Sequence, residues 1–428
     1  VTLRSHAATP FEARPRLPGD KSITHRAYLL AALAEGRYRL RNPNRGEDCC
    51  RTLAAVQALG VEGTVRETEV ELTGAGGALR PPGGPLDLGN SGTGLRLILG
   101  VLAGTGIPAT VTGDASLRAR PMERVAEPLR RMGATVETTG GGAPVRVAGA
   151  VDHPIRYRLP VPSAQVKSAI LFAALRVAGT TRVLGGAGSR DHTERLLRHF
   201  GAPVESTEEE VSLVGPTALG GRDLEVPGDP SAAMFYLVAA AILPGSRVVL
   251  ERVGLNPTRV GGFSLLQAMG LGLERPPAGS EAEPLGTVVG AGRGLRGIRV
   301  GPEAVAGAVD ELPALAVAAA FAEGTTVVSG AGELRHKESD RLSTVAAGLR
   351  AIGAAVEERP DGWVIEGSSG RPLDGGEVRT EGDHRVAMAF LVAGLRCRRG
   401  VELCDEAGIE TSDPFFLENL RLLMEHPK

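Results

Sequence analysis

Lys21, Ser22 and Arg26 lie in the stretch Leu17–Pro18–Gly19–Asp20–Lys21–Ser22–Ile23–Thr24–His25–Arg26, and their spacing points to anion chemistry. Pro18–Gly19 makes a turn, and Asp20 or Ser22 can cap a helix running on through 27–34. Ser22 and Arg26 are four apart and share a helical face. A lysine at a helix start is disfavoured by about 0.3–1 kcal/mol, because the helix dipole is positive there. An anion over that helix start would offset the cost and engage all three side chains. Taken alone, the stretch fits a solvated surface helix better, since charged helix ends are common.

Similar clusters recur. Asn90–Ser91–Gly92–Thr93, Ser163–Ala164–Gln165–Val166–Lys167, Asp229–Pro230–Ser231, Asp310–Glu311 and Asp383–His384–Arg385 each precede an apolar helical pattern. Arg120–Pro121, Arg190–Asp191–His192 and Lys337–Glu338–Ser339–Asp340–Arg341 precede amphipathic ones. Lys337 and Arg341 are like charges at i, i+4, which costs a few tenths of a kcal/mol in an isolated helix. Asp310, ahead of Leu312–Pro313, reads locally as an N-cap. Together, Lys21, Arg26, Arg120, Lys337, Arg341 and Arg385 suit a ligand or ligand pair with several negative charges.

The elements that must position these residues repeat six times. An Ala/Leu-rich helix is followed by a glycine and a β-branched strand, with the glycines at 36, 104, 179, 245, 324 and 400. They are 66 to 79 residues apart, too far for solenoid rungs. Each copy adds an amphipathic helix ending near Gly60, Gly133, Gly201, Gly270 or Gly353 and then a strand pair, and the last stops on a helix, PFFLENLRLLMEH. The unit is α/β, of βαβαββ type, with helix C-caps expected at the glycines. The first helix of each copy is apolar nearly all round, so it is expected to be buried. Strands such as Glu69–Val70–Glu71–Leu72 alternate, so the sheets should be half exposed outside buried parallel helices. If three such helices ran parallel in each half, their positive ends would converge into an anion trap.

Six copies split as three and three, because Leu17–Ser22 recurs as Val226–Pro227–Gly228–Asp229–Pro230–Ser231. The expected domains are 20–227, and 1–19 with 228–428, joined by crossover strands near 16–20 and 225–229.

The totals exclude several classes. With 48 basic and 50 acidic residues the net charge is −2, and aromatics make up 3%, leaving neither a basic field nor stacking platforms for nucleic acid. The longest apolar run, Ala232–Leu243, is too short to span a bilayer, and a cytoplasmic protein is expected. Cys49, Cys50, Cys397 and Cys404 form no CxxC, and the histidines show no HxxxH, so no metal is expected. Gly292–Arg293–Gly294–Leu295–Arg296–Gly297 fits GxGxxG, but Ile298–Val300 after it reads as strand, so it is taken as a hairpin. The Walker A pattern also fails, since Gly19–Asp20–Lys21–Ser22 lacks the upstream glycine.

LPGDKSITHR, GNSGTGLR, GDASLRARPM, PSAQVKSAILFAAL, SRDHTERLL, DELPALAVAAAFAEGTT, LRHKESDRL and GDHRVAMAF stand in one order along the chain. In that order and spacing the chain resembles the 5-enolpyruvylshikimate-3-phosphate synthase family over its whole length, with SAQVK similar to the class II branch. The resemblance implies two globular halves of three units that close on substrate. It implies transfer of the enolpyruvyl group of phosphoenolpyruvate to the 5-hydroxyl of shikimate 3-phosphate, releasing phosphate through a tetrahedral intermediate without metal or cofactor. It places shikimate 3-phosphate on Lys21, Ser22, Arg26, Ser163, Gln165, Arg190, Asp310 and Lys337. Phosphoenolpyruvate falls on Lys21, Gly92, Arg120, Gln165, Arg341 and Arg385. Asp310 is implied as base for the 5-hydroxyl, and Glu338, aided by Lys21, as proton donor to the methylene carbon. A tyrosine of some relatives is His192 here, with Arg190 taking its contact, and a lysine common near the C-terminus is replaced in Glu410–Thr411–Ser412. The implied protein is a monomer with two small-molecule substrates.

Three other readings fit less well. The related transferase acting on UDP-N-acetylglucosamine usually carries a loop cysteine, and Gly113–Arg120 has none. A repeat protein binding an acidic partner would not need acid, base and cations together at helix starts. An RNA 3′-phosphate cyclase would need nucleotide-binding chemistry that the sequence lacks.

Overall fold

The computed structural model describes every residue except 1–2, 187, 277–278, 280–281, 406–407 and 426–428. The chain forms two compact units. One comprises Gly19–Val226 together with Glu281–Glu283, and the other Val1–Pro18, Pro227–Ser280 and Pro284–Lys428.

In the Gly19–Val226 unit the apolar patterns become the helices Lys21–Leu33, Gly92–Thr105 and Ala164–Ala174, each buried over most of its length. Their starts are capped as the side chains dictate: Asp20 accepts from the Ile23 amide, Ser91 from Gly94 and Ser163 from Val166. The second and third of these helices pack very closely. A Cβ on Gly100 would fall 2.2 Å from the Ala169 carbonyl oxygen, so only glycine fits that crossing. Three sheets flank them with one repeated order. Ala109–Thr112, for example, pairs in parallel with Leu86–Asp87 and antiparallel with Gly142–Ala148, which pairs with Thr135–Thr139. In the first sheet the parallel edge comes from the far end of the unit, where Leu219–Gly220 and Leu224–Glu225 pair with Ala34–Arg41.

The other unit buries Pro230–Ile242, Leu312–Ala320 and His384–Gly394 in the same way. All thirteen residues of Pro230–Ile242 are buried, with about 1.5–3 kcal/mol of hydrophobic stabilisation per large side chain. Two of its sheets keep the repeated order, and the third is completed by the N-terminal segment: Arg4–Ser5 pairs with Val401–Leu403. The segment is held again at Arg16, whose backbone N–H and C=O both bond the Asn419 amide, at 3.2 and 2.8 Å. Asn419 donates to the Tyr236 hydroxyl, which donates to Asp413 at 3.0 Å. Burial pushes the Asp413 carboxyl up to about 7.

Three expectations need correction. The glycines after the buried helices are not their C-caps: the first helix ends at Leu33 and Gly36 lies inside the strand Ala34–Arg41. Gly104 is helical, with Gly106 as the left-handed cap. Glycine C-terminal turns do close the amphipathic helices, where residues 60, 133, 201, 270 and 353 all have positive φ. Gly292–Gly297 is not a hairpin, since the strands around it, Leu285–Ala291 and Arg299–Val300, belong to different sheets. Asp310 is not an N-cap, because Glu311 holds that position. Among the described residues no helix is long and apolar enough to cross a membrane.

Candidate active site

In the Gly19–Val226 unit the helix starts converge through named contacts. Lys21, at the first helical position, pairs with Asp48, which stands in the first turn of the helix Glu47–Ala58. Arg26 is 2% exposed. Its Nε donates to Thr193 Oγ1 at 2.6 Å, Nη2 to Ser168 Oγ at 3.0 Å and Nη1 to the Ser22 carbonyl at 2.8 Å. Three elements thus aim one guanidinium. All three acceptors are neutral, and burial, which the more distant carboxylates of Glu194 and Asp20 oppose only in part, lowers its pKa to about 10. Arg190 Nη1 donates to Ser22 Oγ at 3.4 Å.

His25 ties this start to the next. Its ring nitrogens lie 2.8 Å from Thr52 Oγ1 and 3.5 Å from Ser91 Oγ, the cap of the Gly92–Thr105 helix. Burial drives the imidazole down to about 3, so it is neutral here. Around Gly92 the space is taken by cations: a Cβ there would lie 3.0 Å from Arg96 Nη1 and 3.1 Å from Arg120 Nη1. Arg120 donates to Asn90 Oδ1 at 2.6 Å. Gln165 accepts from Arg96 at 2.9 Å and donates to Thr93 at 3.0 Å. Arg96 has only donors, so the carbonyl end of Gln165 must face it. The Ser163 hydroxyl caps its own helix.

The other unit gathers Asp310, Lys337, Glu338, Arg341 and Arg385. The Asp310 carboxylate lies 3.5 Å from Arg341, 3.9 Å from Lys337 and 4.0 Å from Arg385, and its carbonyl accepts from Arg385 at 3.4 Å. Arg341 is 1% exposed and clasped by carboxylates, with Asp383 at 2.7 and 3.3 Å and Glu338 at 2.7 Å. Burial opposes its charge, but Asp383, Glu338 and Asp310 outweigh burial and raise its pKa above the ordinary value. Burial likewise opposes ionisation of Asp383, yet Arg341 holds it below the usual carboxylate range. Asp383 also accepts from the Arg385 and Val386 amides, so it caps the His384–Gly394 helix and orients Arg341 together.

The Gly19–Val226 unit thus gathers buried cations on neutral acceptors, and the other unit a carboxylate flanked by cations. The family model of EPSP synthase (3-phosphoshikimate 1-carboxyvinyltransferase) matches residues 6–420. The chain belongs to the EPSP synthase family. Among curated relatives of that family, the 3-phosphoshikimate 1-carboxyvinyltransferase of Methylorubrum populi is 48% identical over 428 residues, 97% of this chain and 94% of the relative. That of Thermus thermophilus is 49% identical over 415 residues, 96% of each. The EPSP synthase structure from Acinetobacter baumannii at 2.37 Å superposes with a TM-score of 0.88 at 41% identity, covering 100% of this chain and 98% of that one.

Against the EPSP synthase expectation, Ser22, Arg26 and Arg190 form one contact set, Gly92, Arg120 and Gln165 are joined through Arg96, and Lys21 pairs with Asp48. Sequence reasoning did not assign Asp48, Thr193, Ser168, Arg96 or the clasping role of Asp383. Arg96 stands inside the GNSGTGLR motif and could have been read there. The others act across tens of residues, and no spacing signals them.

Proposed function

We propose that Lys21, Ser22, Arg26, Ser163, Gln165, Arg190, Asp310 and Lys337 receive shikimate 3-phosphate. On the same reading, Lys21, Gly92, Arg120, Gln165, Arg341 and Arg385 receive phosphoenolpyruvate. The chain transfers the enolpyruvyl group between them. The 5-hydroxyl oxygen bonds C2 of phosphoenolpyruvate, its proton passes to Asp310, and C3 gains a proton from Glu338 with Lys21 assisting. The tetrahedral intermediate then returns a C3 proton to Glu338, the C2–O bond to phosphate breaks as the vinyl double bond reforms, and the departing phosphate takes the proton held by Asp310. The observation that carries these roles is the placement of Asp310, a carboxylate with Arg341, Lys337 and Arg385 all within 4.0 Å.

The test is phosphate release: phosphoenolpyruvate with shikimate 3-phosphate liberates phosphate with purified protein, and neither substrate alone does. Folded protein that releases none defeats the assignment. On the family resemblance we read the working enzyme as a cytoplasmic monomer, and size-exclusion at assay concentration checks the oligomeric state.

A further inference from the structure

Glu283 carries an inference beyond these assignments. Ala282 and Glu283 cluster with the Gly19–Val226 unit, although the chain from Pro284 onward belongs to the other. Ala282 joins the first unit's hydrophobic core. Glu283 is 3% exposed, and its Oε1 lies 2.6 Å from His192 Nδ1, with Arg195 4.0 Å from Oε2.

His192 opens the helix His192–His199, whose N-cap Asp191 accepts from Arg195 Nε, one turn on, at 2.8 Å. Glu283 adds a hold on the first turn from outside the helix, and a carboxylate near a helix start also suits the dipole. Two neighbours in that turn matter for ligand binding. Thr193 accepts from Arg26 and lies 2.6 Å from Ser168 Oγ. Arg190 reaches Ser22. The charge of Glu283 is also felt at Arg26, where it favours the cation.

We propose that Glu283 is a positioning residue: by holding His192 it fixes the turn that aims Arg26 and Arg190 at the phosphorylated substrate. Which ligand those cations take rests on the function proposed above, but the positioning does not. The arrangement is a buried, charge-assisted hydrogen bond whose loss leaves the imidazole without its partner.

The experiment pairs Glu283→Ala with His192→Phe, and uses His192→Asn, whose amide can replace the Nδ1 donor, as the rescue. Calorimetric affinity for shikimate 3-phosphate is expected to fall about tenfold in both disrupting variants, and to return near wild type in His192→Asn. KM for shikimate 3-phosphate should rise by the same factor, with kcat and KM for phosphoenolpyruvate changed less than about twofold. The double variant should lose no more than either single one. Hydrogen exchange over 190–199 should quicken in Glu283→Ala with no ligand present. Unchanged exchange and affinity overturn the proposal, as does an equal rise in both KM values. If Glu283→Ala does not fold, His192→Phe and His192→Asn decide alone. Wild-type protein that fails to bind shikimate 3-phosphate defeats the functional reading instead, and the exchange measurement still judges the positioning role.

Discussion

The two cationic clusters, one in each unit, hold positive charge by different means. Arg26 is set by a carbonyl and two hydroxyls, with no carboxylate among these hydrogen-bond acceptors. Arg341 is wrapped by Asp383 and Glu338, with Asp310 close by. A guanidinium on neutral acceptors keeps its charge for a ligand, at the cost of burial. A guanidinium bonded to carboxylates has much of its charge neutralised inside the protein, and fixes those carboxylates for proton work. On the proposed reading, the first cluster leaves Arg26 its charge for an anion, and the second fixes carboxylates beside the arginines that receive one.

The largest expected effect falls on the second cluster's unshared role. Asp310→Ala should lower kcat by about 10³, the range of a lost general base, while calorimetric binding of shikimate 3-phosphate stays within a few-fold. Near-normal turnover would remove Asp310 as base and with it the division of labour.

Stability should separate the clusters next. Arg341→Met leaves Asp383 buried without its counter-charge and is expected to cost about 3–5 kcal/mol. Arg26→Met strands only neutral partners and should cost about 1–3 kcal/mol. Urea unfolding measures both, and equal losses would erase the contrast.

Acid should move the units in opposite directions. His25 is neutral when folded, with its pKa near 3. Below about pH 6.5 the unfolded chain takes up a proton that the fold refuses, so about 2 kcal/mol is lost between pH 7 and 5. Asp413 has its folded pKa raised to about 7. Its contribution is full in acid and is lost as pH rises towards 7, so the same step from pH 7 to 5 gains its unit about 2 kcal/mol. Hydrogen exchange corrected for intrinsic rates should quicken in Lys21–Leu33 and slow in Pro230–Ile242, and His25→Asn and Asp413→Asn should each flatten its own trend. Trends of the same sign in both helices would contradict this.

The smallest effect tests the neutral cradle itself. Ser168→Ala removes one of three acceptors from Arg26 and should weaken shikimate 3-phosphate binding about fivefold, near 1 kcal/mol. No change would mean that Thr193 and Ser22 suffice.

What the sequence made legible follows from which forces are local. Capping chemistry is written within three or four residues, so Asp20, Ser91, Ser163, Asp229 and Asp383 announce their helix starts, and the cations beside them come with the motif. The ends of the buried helices are harder to read, because a glycine with positive φ serves a strand as well as a cap, as Gly36 does. Asp310 has the chemistry of a cap, but the longer 302–311 segment puts Glu311 at that position. The partners that tune the cations were illegible: Arg341 meets Asp383 across 42 residues and Arg26 meets Thr193 across 167. Only tertiary packing brings them together.

The pairing of Arg4–Ser5 with Val401–Leu403 bears on how the chain is made. On the ribosome, everything needed for the three sheets and three buried helices of Gly19–Val226 emerges before that unit's neighbour is half translated. The opening segment has no such fortune. Its strand partner arrives about 400 residues later, roughly 20–80 s at ~5–20 residues per second, and the Asn419 side chain that grips Arg16 later still. During that interval Arg4–Ser5 is an unpaired edge, although Glu12–Ala13 can already meet Arg247–Val248, and a growing chain stalled in its last repeat would hold one finished unit and one open one.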